Sequence, residues 1–474
     1  MAHIHREPYI TLAGLTEESA LITWGAFFFE VTGDEVDGRF KVIEDRDLTH
    51  LNPPRKNSIG ESSTFYGPAR LTVREKGGGQ PVVVEVAGDK PETRVNHAWV
   101  RGLKPDTLYE YSLEVKGDPW ADEERRDWVT RNGKQGMFTN KGRYVNTFRT
   151  YPRADQATPD FAFAVIGDFG RGVKKPSTKT ARQREVGEAV ARAVAEKGVR
   201  FVLTTGDNIY AGGGSDSDWF FAYYQPYRYV INRVPVYPSC GNHDTGESEG
   251  DASDEFSDDY AELLDNFYIR ERFLSGSQDE GEAVKENGLF YKFNFGRDFE
   301  FVSIDTSKQR KQQPRSFERP DNLKFVKDAL PDAHGAASAV WRVPFFHHPA
   351  FCYGPQHGHT EEVVETLVPL FRRGGVRLVL SGHEHNLQAL TRDNILYVLT
   401  GGAGEVRPGG LSGGAQADNV AWSATPHFLL CEYKGGALHV TPYGELKNDE
   451  LTPLKNVKNP QGKTVKLPFV VTQG

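Results

Sequence analysis

The chain has 474 residues, of which 38% are hydrophobic and 26% are charged, and its formal net charge at pH 7 is −8. This composition is typical of a globular protein and excludes a disordered or collagen-like chain. The acidic balance lacks the basic surface of a nucleic-acid-binding protein, so we expect no nucleic-acid partner. The longest apolar runs, such as 161–166, are far shorter than the roughly 18–20 residues of a membrane helix, so we expect no membrane span.

The chain contains three cysteines, which are Cys240, Cys352 and Cys431. They are too few and too scattered to form a disulfide framework. Each ends or follows an apolar run, which favours buried free thiols. The N-terminal residues lack the apolar segment of a signal peptide, so we expect either a cytoplasmic protein or a mature chain from which the signal has been removed.

Residues 1–150 have the pattern of an all-β region. Short apolar or alternating runs are separated by clusters of Gly, Pro, Asn and Asp, which is the spacing of a β-sandwich. These runs are ALITWGAFFFEV, ARLTVRE, PVVVEVAG, HAWVRGL and TLYEYSLEV. The polar stretch 44–66 is expected to be a long excursion between strands.

From about residue 155 apolar runs alternate with helical patterns. Run 161–166, a helix near 180–197 and run 200–205 form one βαβ unit, which predicts a parallel pair of strands. The remaining predicted elements are buried strands at 234–240, 299–305, 340–346, 376–381 and 395–400, a helix near 360–373 and two closing strands within 426–443. The sequence therefore predicts an α/β catalytic domain over 153–474 that follows an all-β domain over 1–152.

Three other features have ordinary interpretations. The aromatic stretch 219–229 is interpreted mainly as core or helix packing, although one ring could line the mouth of a site. The acidic stretch 244–265 is interpreted as a solvated loop that leads into a helix. Residues 1–150 carry no cluster of ligand types after a glycine, so we expect them to serve as a scaffold.

Five of the apolar runs end in short clusters of metal-ligand residue types. Ligands of open α/β sheets bind at the carboxyl ends of the strands, so five such ends can converge on one place. The clusters are Gly167-Asp168-Phe169-Gly170, Gly206-Asp207-Asn208-Ile209-Tyr210, Gly241-Asn242-His243-Asp244, His347-His348-Pro349 and Gly382-His383-Glu384-His385. Seven of the 14 histidines lie in or just after these clusters, which predicts a metal site.

The mixture of ligand types indicates which ions the site would bind. Asp, Asn, Tyr and His without cysteine suit Fe, Mn or Zn and exclude a soft thiolate site. The candidates are too many for one ion. Two ions about 3.5–4 Å apart that share a carboxylate form the arrangement used for phosphate-ester hydrolysis.

The order of these motifs, GDxG, GDxxY, GNHD, HxP and GHxH, resembles that of the calcineurin-like metallophosphoesterases. The tyrosine of GDNIY narrows the resemblance to the purple acid phosphatases. The stretch TRVNHAWVRGLKPDTLYEYSLEV, followed by NTFRT, resembles the fibronectin-type-III-like domain that precedes the catalytic domain in some members. The resemblance implies an αββα metallophosphoesterase sandwich, two sheets flanked by helices, preceded by an all-β sandwich.

The resemblance also implies a ligand set for two ions. Fe(III) would be held by Asp168, Asp207, Tyr210 and His385, with Asp207 bridging, and divalent Fe, Zn or Mn by Asn242, His347 and His383. The adjacent His348 leaves the choice in the fourth motif open. We favour His347 because it lies two residues before Pro349.

Two further histidines are implied to act without binding metal. His243 would lie near the phosphate, and a second histidine would donate a proton to the leaving oxygen. His357 and His359 compete for that second role, and His357 is favoured because it precedes a glycine as in the family.

The expected activity is hydrolysis of small phosphomonoesters by attack of a metal-bound hydroxide. One alternative is a phosphodiesterase or nucleotide hydrolase that uses the same metal centre. A second alternative, of another class, is a metal-binding or adhesion protein with a vestigial site. The sequence gives no indication of the oligomeric state.

Overall fold

The computed structural model describes most of the chain. The described residues are 3–33, 39–43, 68–87, 95–121, 125–131, 134–140, 144–170, 182–210, 216–245, 247, 263–273, 287–309, 313–333 and 340–473. The predicted excursion 44–66 and most of the acidic stretch 244–265 lie outside these residues.

Strands account for the regular structure of the first 152 residues. They are β1 (His3–Leu15), β2 (Ser19–Thr32), β3 (Arg39–Ile43), β4 (Ala69–Glu75), β5 (Val82–Val86), β6 (Val95–Arg101), β7 (Leu108–Val115), β8 (Asp118–Pro119), β9 (Arg125–Arg131), β10 (Lys134–Asn140) and β11 (Thr147–Arg149). All five predicted runs form strands. In β7 every second side chain is buried, as the two-residue period of a strand on a core requires.

The rest of the chain mixes strands and helices. The strands are β12 (Phe161–Ile166), β13 (Val199–Thr204), β14 (Val236–Tyr237), β15 (Tyr291–Phe295), β16 (Phe299–Ser303), β17 (Trp341–Phe345), β18 (Leu378–Ser381), β19 (Leu387–Arg392), β20 (Ile395–Thr400), β21 (Ala421–Ser423), β22 (Phe428–Lys434), β23 (Ala437–Tyr443) and β24 (Phe469–Thr472). The helices are α1 (Gln183–Glu196), α2 (Asp216–Trp219), α3 (Arg228–Ile231), α4 (Ile269–Phe273), α5 (Pro320–Ala329) and α6 (Glu361–Arg373), with a π-helical turn at Phe220–Tyr224 and a 3₁₀ turn at Ser316–Glu318.

The chain divides into two compact units. The first contains residues 1–152 and 215–235, and the second contains residues 153–214 and 236–474. The segment 215–235, which the predicted boundary at residue 152 places in the second domain, belongs to the first unit. In the first unit β2 pairs with β1 on one side and with β3 and β6 on the other, and β5, β4, β7 and β11 form a second sheet.

Aromatic packing explains why residues 215–235 belong to the first unit. The Phe220 ring lies 5.1 Å from that of Phe27 and 4.9 Å from that of Phe29 on β2. The Tyr224 ring lies 4.5 Å from that of Tyr9 on β1. The Phe220 and Tyr224 side chains are 2% exposed, so the interpretation of this stretch as core packing is confirmed.

A buried ion pair fixes the same segment to β1. Arg228 Nη1 lies 3.3 Å from Glu7 Oε1, and both side chains are 5% exposed. The indole of Trp128 donates a hydrogen bond of 3.3 Å to Glu7 Oε2. The Gln225 side chain accepts from the Trp128 backbone N–H and donates to its carbonyl. Glu7 therefore has two partners from distant parts of the chain.

The replacement Arg228→Met should destabilise the protein by about 3–5 kcal/mol, because it leaves the Glu7 carboxylate buried without its counter-charge. The double variant Glu7→Gln/Arg228→Met should recover most of this loss, since neither charge is then buried. Urea unfolding followed by tryptophan fluorescence measures both. Arg184→Met, in the exposed pair with Glu188, is the control and should leave the midpoint near that of the unaltered protein. A double variant as unstable as the single one would contradict the explanation.

The second unit contains two sheets. Their strand orders are β14-β13-β12-β22-β23-β24 and β15-β16-β17-β18-β20-β19-β21. Strands β12 and β13 are parallel, as the βαβ pattern predicted. The two sheets face each other through phenylalanines. The Phe163 ring on β12 lies 5.1 Å from Phe301 on β16, and the Phe201 ring on β13 lies 5.3 Å from Phe293 on β15.

Helices cover the outer faces of the two sheets. The apolar stripe of α1 is buried on the six-stranded sheet. On the other side α5 and α6 share a buried cluster with outward-facing residues of the seven-stranded sheet, including Val302 and Val379. The predicted αββα sandwich of two sheets flanked by helices is confirmed.

Two strand predictions need correction. The run 234–240 forms only the short strand β14, because Pro235 and Pro238 on either side lack the N–H groups that a ladder needs. The C-terminal part adds a third strand, β24, beside the two that were expected.

The sequence also led us to expect no membrane-spanning helix and three buried thiols. Among the described residues no helix is both long and apolar enough to span a membrane. All three cysteines are buried thiols that form no disulfide, as predicted.

Candidate metal centre

The predicted ligands lie at the carboxyl ends of neighbouring strands in the two sheets. Asp168 follows β12, Asp207 follows β13 and His347 follows β17. Asn242 comes after β14, and His383 and His385 come directly after β18. Because these strand ends meet, residues up to 217 positions apart in the chain lie side by side.

One group of donors gathers around Tyr210. Its hydroxyl lies 3.1 Å from Asp168 Oδ1 and 2.9 Å from His385 Nε2. His385 Nε2 lies 3.5 Å from Asp168 Oδ1. Candidate donor atoms of Asp168, Asp207 and His385 all lie within 4.8 Å of one another. Two carboxylates, a phenol and an imidazole therefore face one point.

A second group gathers around His347. Its Nε2 lies 2.9 Å from Asn242 Oδ1 and 3.0 Å from His383 Nδ1. The same nitrogen is 3.3 Å from Asp207 Oδ1. Asp207 thus lies against both groups of donors.

The two adjacent histidines of the fourth motif make different contacts. His347 Nδ1 donates to the carbonyl of Thr205 at 2.8 Å, so its Nε2 is left as an acceptor facing Asn242. The His348 ring lies near His383, but its Nδ1 contacts Thr306 Oγ1 and its Nε2 lies 3.7 Å from Glu247. His347 and His348 both belong, with His383, to a group of side chains whose donor atoms could hold an ion, so the choice of His347 stays a prediction.

The backbone at the site adopts conformations that are rare for residues with a side chain. Asp168, Asp207 and His383 have φ angles of +56°, +51° and +77°. Such conformations cost free energy and persist where surrounding contacts impose them, as at functional sites. Gly241 shows how tight the packing is, because a Cβ there would overlap the backbone nitrogen and Oδ1 of Asp207.

The electrostatics of the first group call for a cation. Burial and the charge of Asp207 raise the pKa of Asp168 well above its usual range. Burial and the two carboxylates raise the pKa of the Tyr210 phenol. A cation among these groups would offset that repulsion and favour their ionised forms. The donor set therefore fits a metal ion.

The histidines of the second group have the protonation state that metal binding needs. Burial lowers the pKa of His347, and burial together with the neighbouring His347 lowers that of His383 well below its usual range. Both rings are therefore neutral near pH 7, and only a neutral imidazole can ligate a metal.

The three histidines expected to act beside the metals have different surroundings. The His243 ring lies 4.4 Å from the Tyr210 ring, and the backbone N–H of His243 donates to Asp207 Oδ1 at 3.0 Å. The His357 ring lies 3.9 Å from the His383 ring. His359 is exposed, and its Nδ1 contacts the backbone of Cys352 at 2.9 Å. Of the two candidate proton donors, His357 is thus the one that contacts a predicted metal ligand.

Two carboxylates within the motifs have functions that sequence analysis did not assign. Asp244 accepts hydrogen bonds from the backbone N–H groups of Asn208, Ile209 and Gly241, so it ties the second motif to the third. Glu384 is fully buried between two predicted ligands. The only sequence feature that could have pointed to these two carboxylates is their position inside the ligand motifs.

Known proteins that are similar to this chain in sequence include acid phosphatases. The calcineurin-like phosphoesterase family matches residues 161–387. Tartrate-resistant acid phosphatase type 5 of Oryctolagus cuniculus is 31% identical over 277 residues, which are 56% of this chain and 79% of the relative. The chain belongs to the purple acid phosphatase family. Purple acid phosphatase 17 of Arabidopsis thaliana is 27% identical over 258 residues, covering 51% of this chain and 68% of that protein.

A solved structure agrees with the fold. The purple acid phosphatase PPD1 from yellow lupin seeds superposes with a TM-score of 0.59 over 99% of this chain and 74% of that chain, at 12% identity. As a purple acid phosphatase, the protein is a metal-dependent hydrolase of phosphate esters.

The replacement Gly241→Ala should lower the affinity for metal by about 10- to 100-fold, because the added methyl group displaces Asp207. Metal analysis after dialysis measures the effect. Gly410→Ala is the matched control, since its methyl group meets nothing within 4 Å. Full metal content and activity in Gly241→Ala would show that Asp207 is not a ligand.

Proposed function

We propose that this purple acid phosphatase holds two metal ions and hydrolyses phosphomonoesters. The observation that carries the proposal is the position of Asp207, whose carboxylate lies between two groups of donors. A carboxylate shared by two ions is the expected link in a two-metal site.

The two groups of donors differ in charge, which suggests different ions. Asp168 and Tyr210 would supply anionic oxygens and His385 an imidazole nitrogen, a set of donors suited to Fe(III). Asn242, His347 and His383 supply neutral donors suited to divalent Fe, Zn or Mn. Asp207 would be shared by the two ions.

The residues beside the ions orient the substrate and move a proton. When bound, the two ions lower the pKa of water and attract phosphate oxygens. His243, next to Tyr210, donates a hydrogen bond to a phosphate oxygen on which charge develops. His357, against His383, gives a proton to the leaving alcohol, and His359 has no direct part. Small phosphate esters are the substrates.

The purified protein should hydrolyse p-nitrophenyl phosphate with a kcat/KM more than about tenfold above that for bis(p-nitrophenyl) phosphate, because the site is proposed to recognise a dianionic monoester. Chelation should abolish both activities, and added metal should restore them. Preference for the diester would indicate a phosphodiesterase. Two bound metals without turnover of any phosphate ester would indicate a vestigial site.

The unaltered protein should show a visible charge-transfer band from Tyr210 phenolate on Fe(III), and Tyr210→Phe should remove it while leaving the fold intact. The raised pKa of this phenol means that the phenolate forms only beside a strong cation. Absorption spectra with far-UV circular dichroism test this. Tyr109→Phe, in the first unit, is the control and should keep the band. A colourless protein with stoichiometric zinc or manganese would reject Fe(III) at this position.

A further inference from the structure

Glu384 joins the last metal motif to the loop that carries His357. Its Oε2 accepts the backbone N–H of His357 at 2.8 Å and that of Gln356 at 3.2 Å. Its Oε1 accepts the N–H of His385 at 3.2 Å and lies 3.4 Å from Arg407 Nη1. Each oxygen of one carboxylate thus serves a different segment of the chain.

The surroundings of Glu384 leave it little freedom. Its side chain is fully buried, and the Arg407 side chain is 19% exposed. The loop passes so close that a Cβ on Gly354 would overlap Cγ and Cδ of Glu384. Arg407 also donates its own backbone N–H to the carbonyl of His385 at 2.9 Å. A buried carboxylate with this many donors is held in one geometry.

Glu384 is not placed as a metal ligand. Among the described residues, the groups that could hold an ion contain its neighbour His385 and, in the other group, His383, but not Glu384. Its oxygens point to backbone N–H groups and to Arg407.

We propose that Glu384 is a positioning residue that holds the 354–357 loop so that the His357 imidazole stays against His383 at the metal centre. This inference rests on the proposed function in that it gives His357 the proton-donating role. The proton donor needs to stay within reach of the leaving oxygen, so a small displacement of the loop lowers the rate. Residue x of the GHxH motif therefore has a function separate from those of the flanking histidines.

The test compares Glu384→Ala, Glu384→Gln and His357→Asn on esters with poor and good leaving groups. For phenyl phosphate His357→Asn should lower kcat by about 10²–10⁴-fold, and Glu384→Ala should lower kcat by at least tenfold. Both losses should shrink for p-nitrophenyl phosphate, whose leaving group needs no proton. Glu384→Gln keeps one acceptor oxygen and should recover part of the activity. All variants should retain wild-type metal content.

A double variant separates positioning from general damage. Glu384→Ala/His357→Asn should be no slower than His357→Asn alone, because Glu384 acts through His357. Gly354→Ala disturbs the same contact from the loop side and should reproduce the leaving-group dependence of Glu384→Ala. Glu365→Ala, on an exposed position of α6, is the control and should match the unaltered enzyme. Additive losses in the double variant, or loss of metal in Glu384→Ala, would overturn the proposal.

Amide hydrogen exchange gives a readout that does not depend on catalysis. Glu384→Ala should speed exchange in the peptide that contains Gln356 and His357, whereas Glu365→Ala should not. If the unaltered protein hydrolyses no phosphomonoester, the proposed function fails, and exchange still decides whether Glu384 holds the loop. Unchanged exchange in Glu384→Ala would overturn the positioning role even in an active enzyme.

Discussion

The site depends on two buried carboxylates placed close together. The charge of Asp207 and burial both raise the pKa of Asp168, so the arrangement is costly for the fold unless a cation lies between the groups. The motifs hold the carboxylates with their own backbone. The N–H of His383 donates to Asp168 and that of His243 donates to Asp207. Each carboxylate is therefore oriented by a segment from another motif, which explains why short ligand clusters far apart in sequence converge.

Other buried carboxylates near the site accept hydrogen bonds from the backbone. Asp244 and Glu384 lie inside ligand motifs, yet both accept backbone N–H groups from neighbouring loops. Burial and the charge of Asp207 raise the pKa of Asp244, and its several N–H donors act in the opposite direction. Asp244 joins the segments of the second and third motifs, and Glu384 joins the last motif to the loop at 354–357. The ligand motifs are thus held together by buried hydrogen bonds as well as by the sheets.

The strands that carry the ligands could be predicted from sequence, and some of their surroundings could not. Strands buried on both faces are nearly continuous apolar runs, so β12, β13 and β18 were recognisable. The strands β12 and β13 run parallel in one sheet, and β17 and β18 run parallel in the other, which brings the ends within each pair together. The polar hairpin β9–β10 gives no such signal. Nothing local indicates that Phe220 packs against Phe27, because that contact depends on the tertiary fold. The contacts of Glu384 were equally invisible, since most are made with backbone atoms and the other is with Arg407, which is distant in sequence. The ligand and proton-donor assignments stay predictions.

The path of the chain links the β-rich unit to the metal motifs. The segment 216–235, which packs in the first unit, lies between Tyr210 and Asn242. A truncation of the chain near residue 152 would remove β1 and β2, and with them Phe27 and its neighbours. The aromatic side chains of the segment would then lose these partners. The segment itself would stay joined at both ends to residues of the ligand motifs. Exposed aromatic surface of this kind favours aggregation and alternative packing. The first unit therefore contains the segment that separates two of the ligand motifs, although it supplies none of the predicted ligands.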